Sequence, residues 1–179
     1  MPNHVRNVVS FAGKDVYSII DLVNTDEQFD FEKIIPMPDD IVRGNLSSED
    51  MQKSNGKNWY NWSIDNWGTK WNAYDSDFGG TGVIFSTAWS CPMPVFEKLS
   101  AMFPETTIYV EYADEDLGFN VGTLTFLGGK LIESEELSGT KLGYEKAVEI
   151  NYGLEVEDYI EEYLGEHGEE TLKWYESLE

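Results

Sequence analysis

Residues 83–112, VIFSTAWSCPMPVFEKLSAMFPETTIYVEY, decide the fold. The stretch opens with an extended run, Val83 to Ala88, in which β-branched and aromatic residues are frequent. Pro92 and Pro94 then precede Val95, Phe96, Leu99, Met102 and Phe103, an apolar stripe at helical spacing. Proline is tolerated in a first helical turn because the N–H it lacks would have no acceptor within the helix. Pro104 closes the helix, and Thr107 to Tyr112 is extended again. Strand, helix and strand therefore follow one another within thirty residues.

Upstream, Gly79-Gly80 predicts a turn, and Thr69 to Tyr74 before it can run extended, so a hairpin is expected with Val83–Ala88. The segment 58–74, NWYNWSIDNWGTKWNAY, keeps helical spacing at Trp59, Trp62 and Asn66 until Gly68 ends the helix. Residues 26–57 are less regular: Phe29, Phe31, Ile34 and Ile35 are followed by Pro36 and Pro38, which predicts a packed connection, and Ser47-Ser48-Glu49-Asp50 reads as a helix start. At the beginning, Val5 to Ala12 predicts a strand, and Val16, Ile19, Ile20 and Val23 share a helical face ending near Asn24. Downstream, Val121 to Leu127 is a further strand, and Gly128-Gly129 leads a hairpin into Lys130-Leu131-Ile132-Glu133. Tyr152, Val156, Tyr159, Ile160, Tyr163 and Leu164 predict one closing helical face, with Glu opposite. The order β-α-β-β-α-β-β predicts an α+β chain: a ferredoxin-like antiparallel sheet with helices packed on one face, plus a C-terminal acidic helical extension. The expected division is a ferredoxin-like domain over 1–130 and an acidic strand/helix extension over 131–179 packed on the same domain.

The 179 residues carry 12 Lys and Arg against 34 Asp and Glu, a formal charge of -22. With 41% hydrophobic residues the chain is not a disordered acidic tail. Its charge opposes binding to the polyanionic backbone of nucleic acid or to an anionic membrane, so the expected partner is a basic protein surface. The excess is uneven: residues 131–179 hold 15 acids against Lys141, Lys146 and Lys173. A single Cys excludes a disulfide framework and a multi-cysteine metal centre, and no cofactor is expected. No apolar run approaches the ~20 residues of a membrane span and no apolar leader opens the chain, which predicts a cytoplasmic protein.

Four stretches together carry a resemblance. They are Met1-Pro2-Asn3, the run from Phe31 to Pro38 (FEKIIPMP), the run from Asn66 to Ala73 (NWGTKWNA), and Thr87-Ala88-Trp89-Ser90 leading through Pro92 and Pro94 into a helix and on to Glu111-Tyr112. Over about residues 1–130 the chain resembles the YubB ferredoxin-like domain family of phages, prophages, plasmids and bacterial islands. It departs from the family at His4-Val5, where Trp-Cys is common, and at Cys91, where Pro is common. The resemblance implies a ferredoxin-like fold without an iron-sulfur cluster, in a mobile-element protein of the bacterial host cytoplasm. It implies no established activity.

Two candidate sites follow. Four Trp within 58–74 can build a core wall, or an aromatic face for a ligand with Trp59, Trp62, Asn66, Trp67, Lys70 and Trp71 as its groups. The acidic third offers Glu155, Glu157, Asp158, Glu161, Glu162, Glu166, Glu169 and Glu170 as a partner surface, in its sharpest form an imitation of DNA used in an anti-defence or regulatory role. No catalytic constellation is evident. His4 lies at the N-terminus and His167 in a Gly-flanked acidic stretch, Cys91 has no neighbouring His, and Asp75, Asp77 and Asp114-Glu115-Asp116 lack the remaining spacing of a calcium loop. The expectation is a non-enzymatic acidic protein-binding module, with a small-ligand binder or enzyme using the Trp59–Trp71 face as the alternative. A homodimer pairing through the apolar face of 152–164 is a third reading.

Overall fold

A computed structural model describes residues 3–164 and 168–178. The first strand, β1 (His4–Gly13), buries alternate side chains: Val5, Asn7, Val9 and Phe11 point to one face of the sheet. Helix α1 (Val16–Val23) follows and buries Val16, Ile19 and Val23. A two-residue ladder pairs β2 (Asn24–Thr25) with β3 (Gln28–Phe29), and a single 3-10 turn spans Phe31–Lys33. After α2 (Ser48–Lys53) comes α3 (Trp59–Trp67), then the hairpin of β4 (Tyr74–Gly79) and β5 (Gly82–Ala88). Helix α4 (Met93–Met102) crosses to β6 (Thr106–Asp114), which continues through β7 (Val121–Leu127) and β8 (Lys130–Glu136) as a meander. The chain ends in α5 (Lys141–Tyr152), α6 (Val156–Tyr159), a π turn over Ile160–Leu164, and α7 (Gly168–Glu176).

The six long strands form one antiparallel sheet in the order β4-β5-β1-β6-β7-β8. Its first four strands, with α1 and α4 as crossovers, are the βαββαβ arrangement of a ferredoxin-like fold, and the β7–β8 hairpin widens it. The register places β1 between β5 and β6, with Val9 opposite Val83 on one side and Val110 on the other. The apolar faces of α1 and α4 close over these residues. Phe29, Phe31, Phe85, Phe96 and Phe126 are fully buried there, with Phe29 and Phe85 stacked at 4.6 Å. Each such ring contributes roughly 2–3 kcal/mol by leaving water.

The C-terminal helices cover part of the opposite face. Ala147 and Ile150 of α5 pack with Ala113, Val121 and Val8, and a separate cluster forms around Tyr144, Val148, Val156, Tyr159, Ile160 and Tyr175. Lys146 Nζ reaches Glu111 Oε1 on β6 at 2.8 Å and Glu149 Oε2 at 3.1 Å, and the Glu111 hydrogen bond leads in raising the lysine's pKa against the effect of burial.

Three local expectations change. Thr69 to Ala73 is not extended, because the side chains of Thr69 and Asn72 take the bonds a strand would make, and β4 starts only at Tyr74. The single helix expected over 152–164 is broken: α5 stops at Tyr152, with Gly153 in the left-handed region at φ 69° as its cap, and α6 begins at Val156. Val156, Tyr159 and Ile160, read as a face for a two-fold partner, are buried inside the chain, while Tyr152 and Tyr163 stay exposed. His4 opens β1, with its ring against Tyr74 and its Nδ1 hydrogen-bonded to the Tyr74 hydroxyl.

Candidate functional site

The segment Trp67-Gly68-Thr69-Lys70-Trp71-Asn72 is built as a pinned loop. Helix α3 starts at Asn58, whose carboxamide oxygen accepts from the Asn61 N–H at 3.0 Å, and ends at Gly68 with φ 75°. A side chain at Gly68 would meet Pro94 Cδ at 2.9 Å, so glycine serves both the turn and the close approach of α4. Thr69 then locks onto the end of β5: its hydroxyl donates to the Ala88 carbonyl at 2.6 Å and accepts from the Ala88 N–H at 3.2 Å. Asn72 locks the other side. Its Oδ1 accepts from the Phe31 N–H at 2.9 Å and its Nδ2 donates to Asp30 Oδ1 at 2.8 Å. Between the two pins, Lys70 and Trp71 turn toward a cavity of about 680 Å³.

That cavity is walled by Trp59 and Tyr60 of α3, by Lys70 and Trp71, and by the loop Gly44-Asn45-Leu46. The Trp59 indole N–H donates to the Gly44 carbonyl at 2.8 Å and ties the loop to the helix. The Lys70 ammonium lies 4.5 Å from the Trp71 ring centroid and 5.0 Å from that of Trp89. Among the described residues no carboxylate forms an ion pair with it, so its charge is held by π faces alone. Trp89 is 39% exposed and sits at φ 75°, a conformation that a bulky side chain adopts only under constraint. The constraint is visible: its N–H donates to the Asn3 carbonyl at 2.9 Å and its carbonyl accepts from Asn120 Nδ2 at 3.0 Å. Tyr60 bridges the group, with ring centroids 5.9 Å from Trp59 and 6.2 Å from Trp89.

The six side chains expected on this face divide. Trp59, Lys70 and Trp71 line the cavity. Trp67 is buried in the main core, edge-on to Phe31, its indole N–H donating to the Ile35 carbonyl at 2.9 Å. Trp62 packs edge-on against Trp67 at 5.1 Å, and Asn66 turns back to donate to the Trp62 carbonyl at 2.8 Å. These three support the face rather than line it. Tyr60, Trp89 and the 44–46 loop are not among the residues expected at this site. The pairing of β1, β5 and β6 brings Trp89 in, and no periodicity marks it.

Seven of the eight acidic candidates, Glu155, Glu157, Asp158, Glu161, Glu162, Glu169 and Glu170, are exposed, and Glu166 and His167 lie outside the described residues. The ring stack of Tyr152, Tyr159 and Tyr163 lies among them, with centroids 4.6 to 5.5 Å apart. The acidic turn after β6 has an internal use: Asp114 is buried and accepts from Asn3 Nδ2, the Asp116 N–H and Asn120 Nδ2. Cys91 is buried, and burial pushes its thiol well above the usual range. Among the described residues, no three or more His, Cys, Asp or Glu converge as metal ligands, and no helix is long and apolar enough to cross a membrane.

Comparison with known proteins adds a family. The crystal structure of a protein api92 from Yersinia pseudotuberculosis aligns with a TM-score of 0.40 at 16% identity, over 60% of this chain and 39% of that one. No curated protein matches. A family model described as a ferredoxin-like domain in Api92-like protein matches residues 66–172. The match carries the Api92-like description rather than the YubB name, and it runs on into the acidic third that the sequence resemblance left out. It covers well over half of the chain, from the end of α3 into α7, and the chain therefore belongs to the family of ferredoxin-like domains found in Api92-like proteins.

Proposed function

We propose that the domain is a binding module whose recognition site is the aromatic cavity at Trp59, Tyr60, Lys70 and Trp71. The observation that carries this is the unpaired Lys70 ammonium held between two tryptophan rings at the mouth of a cavity in a chain of charge -22. What sets Lys70 apart is that the two indole rings keep its charge aimed into the site. Such a site suits a flat ring bearing one anionic group: the ring stacks on an indole face and the anion meets Lys70. A polynucleotide is disfavoured by the surrounding charge, whereas a nucleoside monophosphate brings one phosphate and one base. The test is a titration of tryptophan fluorescence with nucleoside monophosphates and their parent nucleosides. Binding should quench the emission. Lys70→Met should lose most of the preference for the phosphorylated ligand, and Trp71→Ala should weaken both by about tenfold or more, the value of one base–aromatic stack. A phosphate preference unchanged in Lys70→Met and no change on Trp71→Ala would end this reading.

A second reading concerns the partner surface. Seven exposed carboxylates around a tyrosine stack support docking on a basic protein, since tyrosine faces accept lysine and arginine side chains. In the DNA-imitating form of this idea, affinity for a basic nucleic-acid-binding protein falls steeply between low and physiological salt. An affinity indifferent to salt would remove it. The resemblance of residues 1–130 to YubB domains supports a mobile-element origin and the bacterial cytoplasm as the place of action.

A further inference from the structure

We propose that a second cavity, between the last turn of α5 and the open face of the sheet, binds a small organic monocarboxylate through Arg6. The alternation of β1 that sends Val5, Asn7 and Val9 into the core sends Arg6 and Val8 to the other face. There Arg6 stands opposite Ser86 of β5 and Ala113 of β6, so neither cross-strand neighbour offers a carboxylate. Its Nε is buried and has no hydrogen-bond partner, and among the described residues Arg6 takes part in no ion pair. Arg6 is thus a cavity-lining guanidinium without a carboxylate partner in a chain with 34 acidic residues, and an anion entering the cavity would supply one.

The cavity it adjoins measures about 500 Å³. Val8 and Ile84 form its floor, and Ile150 and Tyr152 close it from α5. Two carboxylates also line it, Glu111 and Glu149; both bond to Lys146, and neither forms an ion pair with Arg6. The chemistry of the ligand follows from these neighbours. One anionic group satisfies Arg6, preferably in the fork geometry that a carboxylate offers. A second negative charge would be repelled by Glu111, Glu149 and the carbonyl end of α5. The Val8, Ile84, Ile150 and Tyr152 surfaces ask for an apolar body attached to the acid.

The experiment uses the full chain, ¹⁵N-labelled, and three probes: phenylacetate, phenylacetamide and inorganic sulfate. Phenylacetate should shift the Arg6 Nε–H resonance and the Tyr152 and Gly153 amides in a saturable way, while phenylacetamide and sulfate leave them in place. Arg6→Gln should weaken phenylacetate binding by at least about tenfold, the value of one charge-assisted contact. If that variant does not fold, Arg6→Lys, which keeps the charge but not the fork, should weaken it to a lesser degree. Trp71→Ala, in the other cavity, should not affect it. The proposal falls if phenylacetate moves none of these signals, if the amide or sulfate binds as well as the acid, or if a folded Arg6→Gln variant binds like the parent.

Discussion

Gly68 joins α3 to the loop that presents Lys70 and Trp71, and replacing it with alanine separates two energies that usually travel together. The first is backbone strain. At φ 75° an L-residue other than glycine loses about 1–2 kcal/mol relative to its preferred conformation. The second is steric, because the new methyl would lie 2.9 Å from Cδ and 3.4 Å from Cγ of Pro94, a rigid ring at the start of α4. Pushing a methyl into packed surroundings adds roughly 1–3 kcal/mol. Gly153 provides the control, since it caps α5 at φ 69° with nothing within 4 Å of its added methyl. Gly153→Ala should therefore cost about 1–2 kcal/mol, and Gly68→Ala about 2–5 kcal/mol. For a chain of this length that is a Tm lowered by about 2–8 °C for the control and by more for Gly68→Ala, at roughly 2–4 °C per kcal/mol. Thermal and urea unfolding followed by circular dichroism measure both. If the two variants lose the same stability, the Pro94 contact yields without cost and the steric half of the reasoning is wrong. Gly68→Ala should also change tryptophan emission in the native state, because Lys70 and Trp71 are only two and three residues on.

Trp67→Phe should lose about 1–3 kcal/mol in urea unfolding, since it shortens a buried side chain and strands the Ile35 carbonyl that the indole N–H satisfies; an unchanged midpoint would count against that bond. Cys91, buried with a raised pKa, should resist a thiol reagent at pH 8 in the native state and react at once in denaturant, and fast native labelling would show that the site opens. Tyr74 is pushed up to about 12 by burial, with the negative charges of Asp75 and Glu115 adding to the shift. The folded chain holds that proton more tightly than the unfolded one, so this contribution to stability is complete below about pH 10 and is lost as pH rises from 10 toward 12. Urea midpoints taken across that interval should fall, and Tyr74→Phe should flatten the fall; an equal slope in both proteins would refute the assignment.

Much of this architecture is readable before folding because the decisive signals are local. The proline-bounded α4, the Gly-marked hairpins, and the α3 helix between Asn58 and Gly68 carry their stop and start residues in the chain itself. Helix α5 is not readable in that way. Its buried side chains Tyr144, Ala147, Val148 and Ile150 serve two separate clusters, so they spread around the helix instead of forming one stripe. The aromatic site divides along the same line. Trp59, Lys70 and Trp71 sit in one short segment, but Trp89 reaches the lysine only because β5 ends beside α3, and its left-handed backbone is set by Asn3 and Asn120 from distant parts of the chain. Arg6 is hidden for another reason: its placement depends on which way one alternating strand faces, and both faces of β1 are partly covered.

The acidity of the sheet's two outer strands has a consequence for the protein in solution. An outer strand offers unpaired N–H and C=O groups to any neighbouring chain. Here β4 carries Asp75 and Asp77, and β8, exposed along its whole length, carries Glu133, Glu135 and Glu136. Two copies approaching strand to strand would bring these carboxylates together, and mutual repulsion keeps the sheets from zipping into a ribbon. Leu131 and Ile132 are exposed on β8, and the glutamates flank them on the same strand. The negative charge carried on both outer strands thus opposes pairing of the sheet with a second copy of itself.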